Sequence, residues 1–166
     1  MKIGDKLVDA LNAQIGLEFT ASIKYDAIGA YFTTAELPQL AKFFFKQSTE
    51  EREHAHKLMK FILDRDGLVR IPAIPAPTPT FASCVDAVKH AREGEQQVTA
   101  SIHKLYELAL AEKDHATAIM LQWFVTEQVE EESTIRQMLR MVERGKESGM
   151  MTVEDYLADL KEDDKK

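Results

Sequence analysis

Apolar residues recur at spacings of three and four along four long stretches of the chain, which is the period of an amphipathic α-helix. All five prolines lie at Pro38 and between Pro72 and Pro79, so each stretch is almost free of helix breakers. The pattern predicts long helices at about residues 5–34, 39–66, 82–112 and 114–146. A short fifth helix is predicted at about 153–161, with Thr152 as its N-cap.

The joints between these helices differ in length. Two of them, at residues 34–38 and around Lys113, are short enough to make the helices they connect antiparallel. The third, GLVRIPAIPAPTPT at 67–80, is a Pro-rich extended connector. A helix of about 28 residues is about 42 Å long, and about 14 extended residues reach roughly 45 Å. The sequence therefore predicts an all-α four-helix bundle with one long crossover between the second and third helices.

Every long helix carries a carboxylate near the middle of its apolar stripe. These carboxylates are Glu18, Glu51, Glu95 and Glu131, and His54 follows Glu51 by one turn. In the fourth helix the stripe is predicted at Met120, Phe124, Glu127, Glu131, Thr134, Met138 and Val142. A single polar residue in such a stripe more often indicates a misjudged helix register than a buried charge. Four at matching depth in four helices favour a common polar layer.

A layer of buried carboxylates is unfavourable unless something compensates its charge. Two divalent cations would balance four carboxylates, and Glu51 and His54 lie close enough on their helix to reach the same ion. Carboxylate oxygen with imidazole nitrogen suits iron, manganese or zinc. Tyr25 lies two turns after Glu18 on the same face, so its hydroxyl is expected near this layer. The competing interpretation of Tyr25 is a core tyrosine with a satisfied hydroxyl.

Composition narrows the class of protein. The net charge of −7 argues against binding of nucleic acid. The single cysteine, Cys84, excludes an internal disulfide framework and a cysteine metal motif. No apolar run approaches the length of a membrane span, and the first residues, MKIGDKLVDALN, do not resemble a signal peptide. We expect a cytoplasmic protein with neither a nucleic-acid nor a membrane partner.

Four segments together resemble the prokaryotic non-haem ferritins, and the resemblance covers nearly the whole chain. The segments are GLEFTASIKY (16–25), EEREHAHKLMKF (50–61), GEQQVTASIHKL (94–105) and LQWFVTEQVEEE (121–132). The resemblance implies an iron-storage protein with ferroxidase activity, which oxidises Fe(II) with oxygen or peroxide and stores Fe(III) as a mineral. It also implies a homo-oligomeric cage of twenty-four chains.

The resemblance also implies roles for individual residues. The first iron would be held by Glu18, Glu51 and His54, and the second by Glu51, Glu95 and Glu131. A possible third iron would be held by Glu50, Glu127, Glu130 and Glu131. Gln128 and Tyr25 would lie close to the iron pair without being ligands of it.

Departures from related families are also informative. Bacterioferritins carry a haem-ligating methionine directly after the bridging glutamate, where this chain has Arg52, so no haem is expected. Their last long helix carries a second Glu-x-x-His, where this chain has Glu127 and Glu130. One alternative function is a small-oligomer di-iron or di-manganese oxidoreductase of rubrerythrin or oxygenase type. Another is a metal-free helical interaction protein.

Overall fold

Five helices and their connections make up the structure, a computed structural model that describes residues 2–146 and 149–163, with side chains described as far as residue 158. The helices are α1 (Asp5–Thr34), α2 (Pro38–Leu63), α3 (Cys84–Ala111), α4 (His115–Gly145) and α5 (Met150–Asp163). The predicted all-α fold is confirmed. No helix in the described part of the chain is long and apolar enough to cross a membrane.

Local chemistry sets the helix ends. Ser83 and Asp114 are the N-caps of α3 and α4, and each side chain accepts a hydrogen bond from the backbone amide three residues later. The second helix ends at Leu63, three residues before the predicted end. The chain turns there because Asp66 has a φ of 55° and the Gly67 amide donates to the Ile62 carbonyl, a hydrogen bond of 2.9 Å.

Two apolar clusters fill the bundle, one on each side of a polar layer. The first includes Tyr25, Phe32, Phe44, Val88, Met138 and Val142, and the second includes Leu7, Ile15, Leu58, Ile102, Leu121 and Phe124. Along the chain, α1 and α4 pass from the second cluster to the first, whereas α2 and α3 pass from the first to the second. Therefore α2 and α3 are parallel to each other and antiparallel to α1 and α4, as the long crossover predicts.

The crossover, residues 64–83, is fixed to the side of α1. The Asn12 side chain donates to the Leu68 carbonyl at 2.9 Å and accepts from the Arg70 amide at 2.7 Å. Pro72 lies directly over Gly16, where an added Cβ would come within 2.3 Å of the proline ring. The crossover therefore lies along the bundle surface because one polar side chain bonds its backbone and one glycine leaves room for it.

The buried face of α4 differs from the predicted stripe in part. Leu121, Gln128 and Ile135 are buried, whereas Glu127 is only partly buried and Thr134 is exposed. The prediction at Glu127 and Thr134 was therefore wrong by one residue. Glu127 and Gln128 are adjacent and both polar, so the hydrophobic pattern alone does not show which of them faces the core.

The last helix is longer than predicted and is fixed by one buried carboxylate. The helix begins at Met150, two residues before Thr152, so Thr152 lies inside its first turn and is not its N-cap. Its buried stripe consists of Met150, Val153 and Leu157. Glu154 is also buried, and its two oxygens accept hydrogen bonds from the backbone amides of Gln39 and Leu40 at 2.6 and 2.8 Å. These amides begin α2, so α5 caps another helix.

Candidate metal centre

The four carboxylates predicted from the stripes meet in the polar layer between the two apolar clusters. Glu18 and Glu95 are 1% exposed, Glu51 is 0% exposed and Glu131 is 8% exposed. Each helix of the bundle contributes one of them, because the apolar residues on either side of each glutamate turn that face of the helix toward the bundle axis.

Neutral side chains donate hydrogen bonds to two of these carboxylates, Glu95 and Glu131. Tyr25 donates its hydroxyl proton to Glu95 Oε1, and Gln128 Nε2 lies 3.2 Å from Glu95 Oε2. Gln47 Nε2 donates to Glu131 Oε2 at 2.8 Å. The Tyr25 hydroxyl therefore lies beside the carboxylate layer, as its position two turns after Glu18 predicts.

Gln14, which the sequence analysis missed, donates a hydrogen bond to Glu18, the carboxylate that α1 contributes. Its Nε2 donates to Glu18 Oε1 at 2.9 Å, and Ser101 Oγ donates to Gln14 Oε1 at 2.5 Å. The sequence feature that could have identified Gln14 as a partner of Glu18 is their spacing, four residues apart on one helix face. Because Gln14 is itself bonded to α3, the position of Glu18 depends on two helices.

Two buried carboxylate oxygens accept no hydrogen bond within the described residues, Glu18 Oε2 and Glu51 Oε1. Buried oxygens of this kind are rare in folded proteins and need compensation. Glu18, Glu51 and His54 also bring one ligand atom each to within 4.8 Å of the others. His54 Nδ1 lies 3.3 Å from Glu51 Oε2. Two oxygens and one imidazole nitrogen around a common point fit a divalent transition metal ion.

Burial raises the pKa of every carboxylate in the layer, and repulsion by a neighbouring carboxylate adds to this at Glu18, Glu51 and Glu131. Burial is the largest cause for Glu18 and Glu51, whose pKa values are raised well above the ordinary glutamate value, with the charge of Glu51 acting on Glu18 and that of Glu95 acting on Glu51. Burial raises the pKa of Glu131 to about 7, helped by the charge of Glu95. Without cations, the layer therefore binds protons near neutral pH.

Two hydrogen bonds partly offset the effect of burial on the pKa of Glu95. Burial raises the pKa of this carboxyl, whereas the donors Tyr25 and Gln128 lower it. The same environment raises the pKa of Tyr25 well above 10, chiefly by burial and then by the charge of Glu95. Tyr25 therefore keeps its proton and remains a donor to Glu95.

A second group of three possible ligands shares His54 with the first group. His54, Glu127 and Glu131 bring one ligand atom each to within 4.8 Å of the others. Glu127 also lines an open cavity of about 370 Å³ with Glu50, Glu53, Lys57 and Trp123, and His54 forms part of its wall. This acidic cavity therefore connects the polar layer with the outside of the bundle.

The predicted third ion site is only partly assembled in the structure. Glu50 lines the acidic cavity and pairs with Lys46 at 2.9 Å. Glu130 is exposed, and neither group of possible ligands includes it. Side chains of adjacent residues on a helix point about 100° apart, so Glu130 and Glu131 face different surroundings.

Comparison with known proteins identifies the family. The family model described as a ferritin-like domain matches residues 8–145. The chain is 42% identical over 145 residues to Ferritin BfrB of Mycolicibacterium smegmatis, covering 87% of this chain and 80% of that protein. It is 41% identical over 128 residues to Bacterial non-heme ferritin of Staphylococcus haemolyticus, covering 77% of each.

A solved structure is similar over nearly its whole length. The open pore ferritin of the hyperthermophilic archaeon Archaeoglobus fulgidus matches with a TM-score of 0.91 at 34% identity, covering 94% of this chain and 98% of that one. The carboxylate layer thus lies in a bundle that matches ferritins both in sequence and in fold. The chain belongs to the ferritin family, among the prokaryotic non-haem ferritins.

Proposed function

We propose that this ferritin stores iron and oxidises Fe(II) at the carboxylate layer described above. The observation that supports this placement most directly is the pair of buried oxygens, Glu18 Oε2 and Glu51 Oε1, that lack a hydrogen-bond donor within the described residues. A cation bound between these two oxygens would remove the free-energy cost of burying both carboxylates without a partner. Iron is the substrate here, and the ligand set of carboxylates and imidazole suits Fe(II) and Fe(III).

The two halves of the layer would hold two ions. Glu18, Glu51 and His54 would bind the first, and Glu51, Glu95 and Glu131 the second, so that Glu51 lies between them. Four carboxylates compensate the charge of two Fe(II) ions, and the ions in turn displace the protons that the raised pKa values favour. Gln14, Gln47 and Gln128 keep the carboxylates in place through neutral hydrogen bonds.

In the reaction, each of two Fe(II) ions loses one electron. Dioxygen accepts both electrons and two protons to give hydrogen peroxide, and peroxide as oxidant accepts two electrons and two protons to give two waters. Fe(III) then reacts with water to form the oxyhydroxide mineral, with release of protons. Protons leaving the carboxyl groups as Fe(II) binds supply part of the protons that the oxidant takes up.

The acidic cavity offers a route between the centre and the outside of the bundle. Glu50 and Glu127 line it, and Glu127 shares His54 and Glu131 with the centre. We propose that these side chains hold a third ion in transit. The exposed position of Glu130 makes it the weakest ligand of this set.

A mineral needs an enclosed volume that one bundle does not provide. We propose that the chains assemble into a homo-oligomeric cage of twenty-four subunits, in keeping with the ferritins that this chain resembles. Symmetric closed assembly is the usual outcome for identical chains. The alternative of a small di-metal oxidoreductase is not favoured, because the similar proteins reported above are ferritins.

Iron retained per chain tests this function. The wild type would be loaded with Fe(II) in air and separated by size-exclusion chromatography, beside the variants E51Q and E93Q. Glu93 is exposed on α3, does not line the acidic cavity and serves as the control. We expect the wild type and E93Q to elute as a large particle with far more iron than the ligands of one centre can hold. E51Q should lose rapid oxidation. Equal oxidation by E51Q would refute the placement of the reaction.

A further inference from the structure

A chain of three hydrogen bonds leads from the carboxylate layer to the groove between α3 and α4. Gln128 Nε2 lies 3.2 Å from Glu95 Oε2 and donates to Thr99 Oγ1 at 3.1 Å. The Thr99 hydroxyl in turn donates to Glu132 Oε1 at 2.6 Å. Glu95 and Thr99 are four residues apart on α3, and Gln128 and Glu132 are four residues apart on α4. Each of the three hydrogen bonds therefore crosses from one helix to the other.

The Thr99 hydroxyl gives this chain its direction. A hydroxyl has one proton to donate and two lone pairs with which to accept, whereas a carboxylate only accepts. The proton of Thr99 therefore goes to Glu132, and a lone pair is left for Gln128. An amide group can present only its nitrogen to that lone pair, and the same nitrogen bonds Glu95. Thr99 and Glu132 thus favour the orientation of Gln128 in which its nitrogen faces the layer.

The far end of the chain lies in a cavity whose lining residues differ from those of the acidic cavity. Gln128 is buried, whereas Thr99 and Glu132 are half-buried. With His103 and Arg136, these three residues line an open cavity of about 340 Å³ between α3 and α4. Neither group of possible metal ligands in the described residues includes Glu132. The link from Glu132 to the layer is therefore its hydrogen bond to Thr99.

We propose that Thr99 and Glu132 are positioning residues for metal binding, because together they set the side chain of Gln128. This inference rests on the proposed function, in which Glu95 is a ligand. Tyr25 and Gln128 donate to different oxygens of Glu95, and each oxygen keeps a further lone pair for a cation. Outer partners that orient a ligand in this way commonly change metal affinity by about 10- to 100-fold.

Cobalt(II) binding to the assembled protein, followed by visible absorption, tests this inference apart from any turnover. T99V keeps the shape of the side chain and removes the hydroxyl. T34V removes the hydroxyl of an exposed threonine at the end of α1 and serves as the control. We expect T99V to bind Co(II) about tenfold more weakly than T34V. T99S returns the hydroxyl and should recover the affinity.

A second pair of variants separates the hydrogen bond of Glu132 from its charge. E132Q and E132L both remove the charge, but only glutamine keeps an oxygen that can accept the proton of Thr99. We expect E132L to bind Co(II) about fivefold more weakly than E132Q, the equivalent of one ordinary hydrogen bond. This pair decides the question alone if T99V does not assemble.

The possible failures are distinguishable. A T99V affinity equal to that of T34V, or a T99S affinity as low as that of T99V, would overturn the role of the Thr99 hydroxyl. Equal affinities of E132L and E132Q would overturn the role of Glu132 as its acceptor. Co(II) binding that E51Q leaves unchanged would instead overturn the proposed centre itself.

Discussion

Replacing Glu131 by glutamine should stabilise the metal-free protein at alkaline pH and at the same time weaken its binding of metal. Glu131 is 8% exposed, and its pKa is about 7 in the folded chain against 4.5 for an ordinary glutamate. Its protonated form is thus favoured in the folded state. The stability from this carboxyl is fully present below pH 4.5 and is lost as the pH rises through about 7.

The size of the effect follows from the difference between the two pKa values. Each tenfold change in proton affinity corresponds to about 1.4 kcal/mol, so ionised Glu131 destabilises the fold by about 3 kcal/mol at pH 8. At pH 5 the same carboxyl costs under about 1 kcal/mol. E131Q keeps an oxygen that accepts the hydrogen bond from Gln47 and removes the charge. For a chain of this length the gain at pH 8 corresponds to about 6 to 12 °C in Tm.

The assay is thermal unfolding of metal-free protein at equal subunit concentration, at pH 5 and at pH 8. E130Q is the matched control, because Glu130 is exposed beside Glu131 on α4 and its loss should leave Tm unchanged. Added Zn(II) should raise the Tm of the wild type more than that of E131Q. An E131Q melting temperature at pH 8 no higher than that of the wild type, or the same gain at pH 5 as at pH 8, would refute this account of the buried charge.

Three further perturbations have defined outcomes. Y25F removes a donor to Glu95 and should shift the pH profile of Fe(II) oxidation upward by about 0.5 to 1 pH unit, so a profile that superimposes on the wild type would contradict the hydrogen bond's role. D114A removes the N-cap of α4 and the carboxylate that faces Arg65 at 2.8 Å, and should lower the free energy of unfolding in urea by about 2 to 4 kcal/mol. Hydrogen bonding to Arg65, despite burial, lowers the pKa of Asp114, so the loss relative to wild type should shrink only as the pH falls below about 4. E154A removes the acceptor for two amides at the start of α2 and should cost about 1 to 2 kcal/mol, measured in the same way; an unchanged value would show that water replaces the carboxylate.

The sequence was enough to predict the four long helices, the crossover and the inward position of all four central carboxylates, although part of the stripe around Glu131 was misjudged. Proline or glycine lies at or near several of the helix ends, at Gly4, Pro38, Gly67 and Gly145, because these residues restrict or free the backbone locally. Glu18, Glu51 and Glu95 stand in stripes that are apolar toward both ends of their helices, so the helical period turns them inward although some adjacent stripe positions are polar. Turn chemistry and helical period both depend only on interactions between residues close in sequence.

Only the tertiary structure shows which residue faces the core where the helical period allows two adjacent positions. On α4 the adjacent polar residues Glu127 and Gln128 compete for the inward position, and only the rotation of the helix against its neighbours selects Gln128. The hydrogen bond from Gln47 on α2 to Glu131 on α4 and that from Ser101 on α3 to Gln14 on α1 also emerge only from the fold. Both join different helices, and such contacts depend on how the bundle packs, which the hydrophobic period of a single helix does not specify.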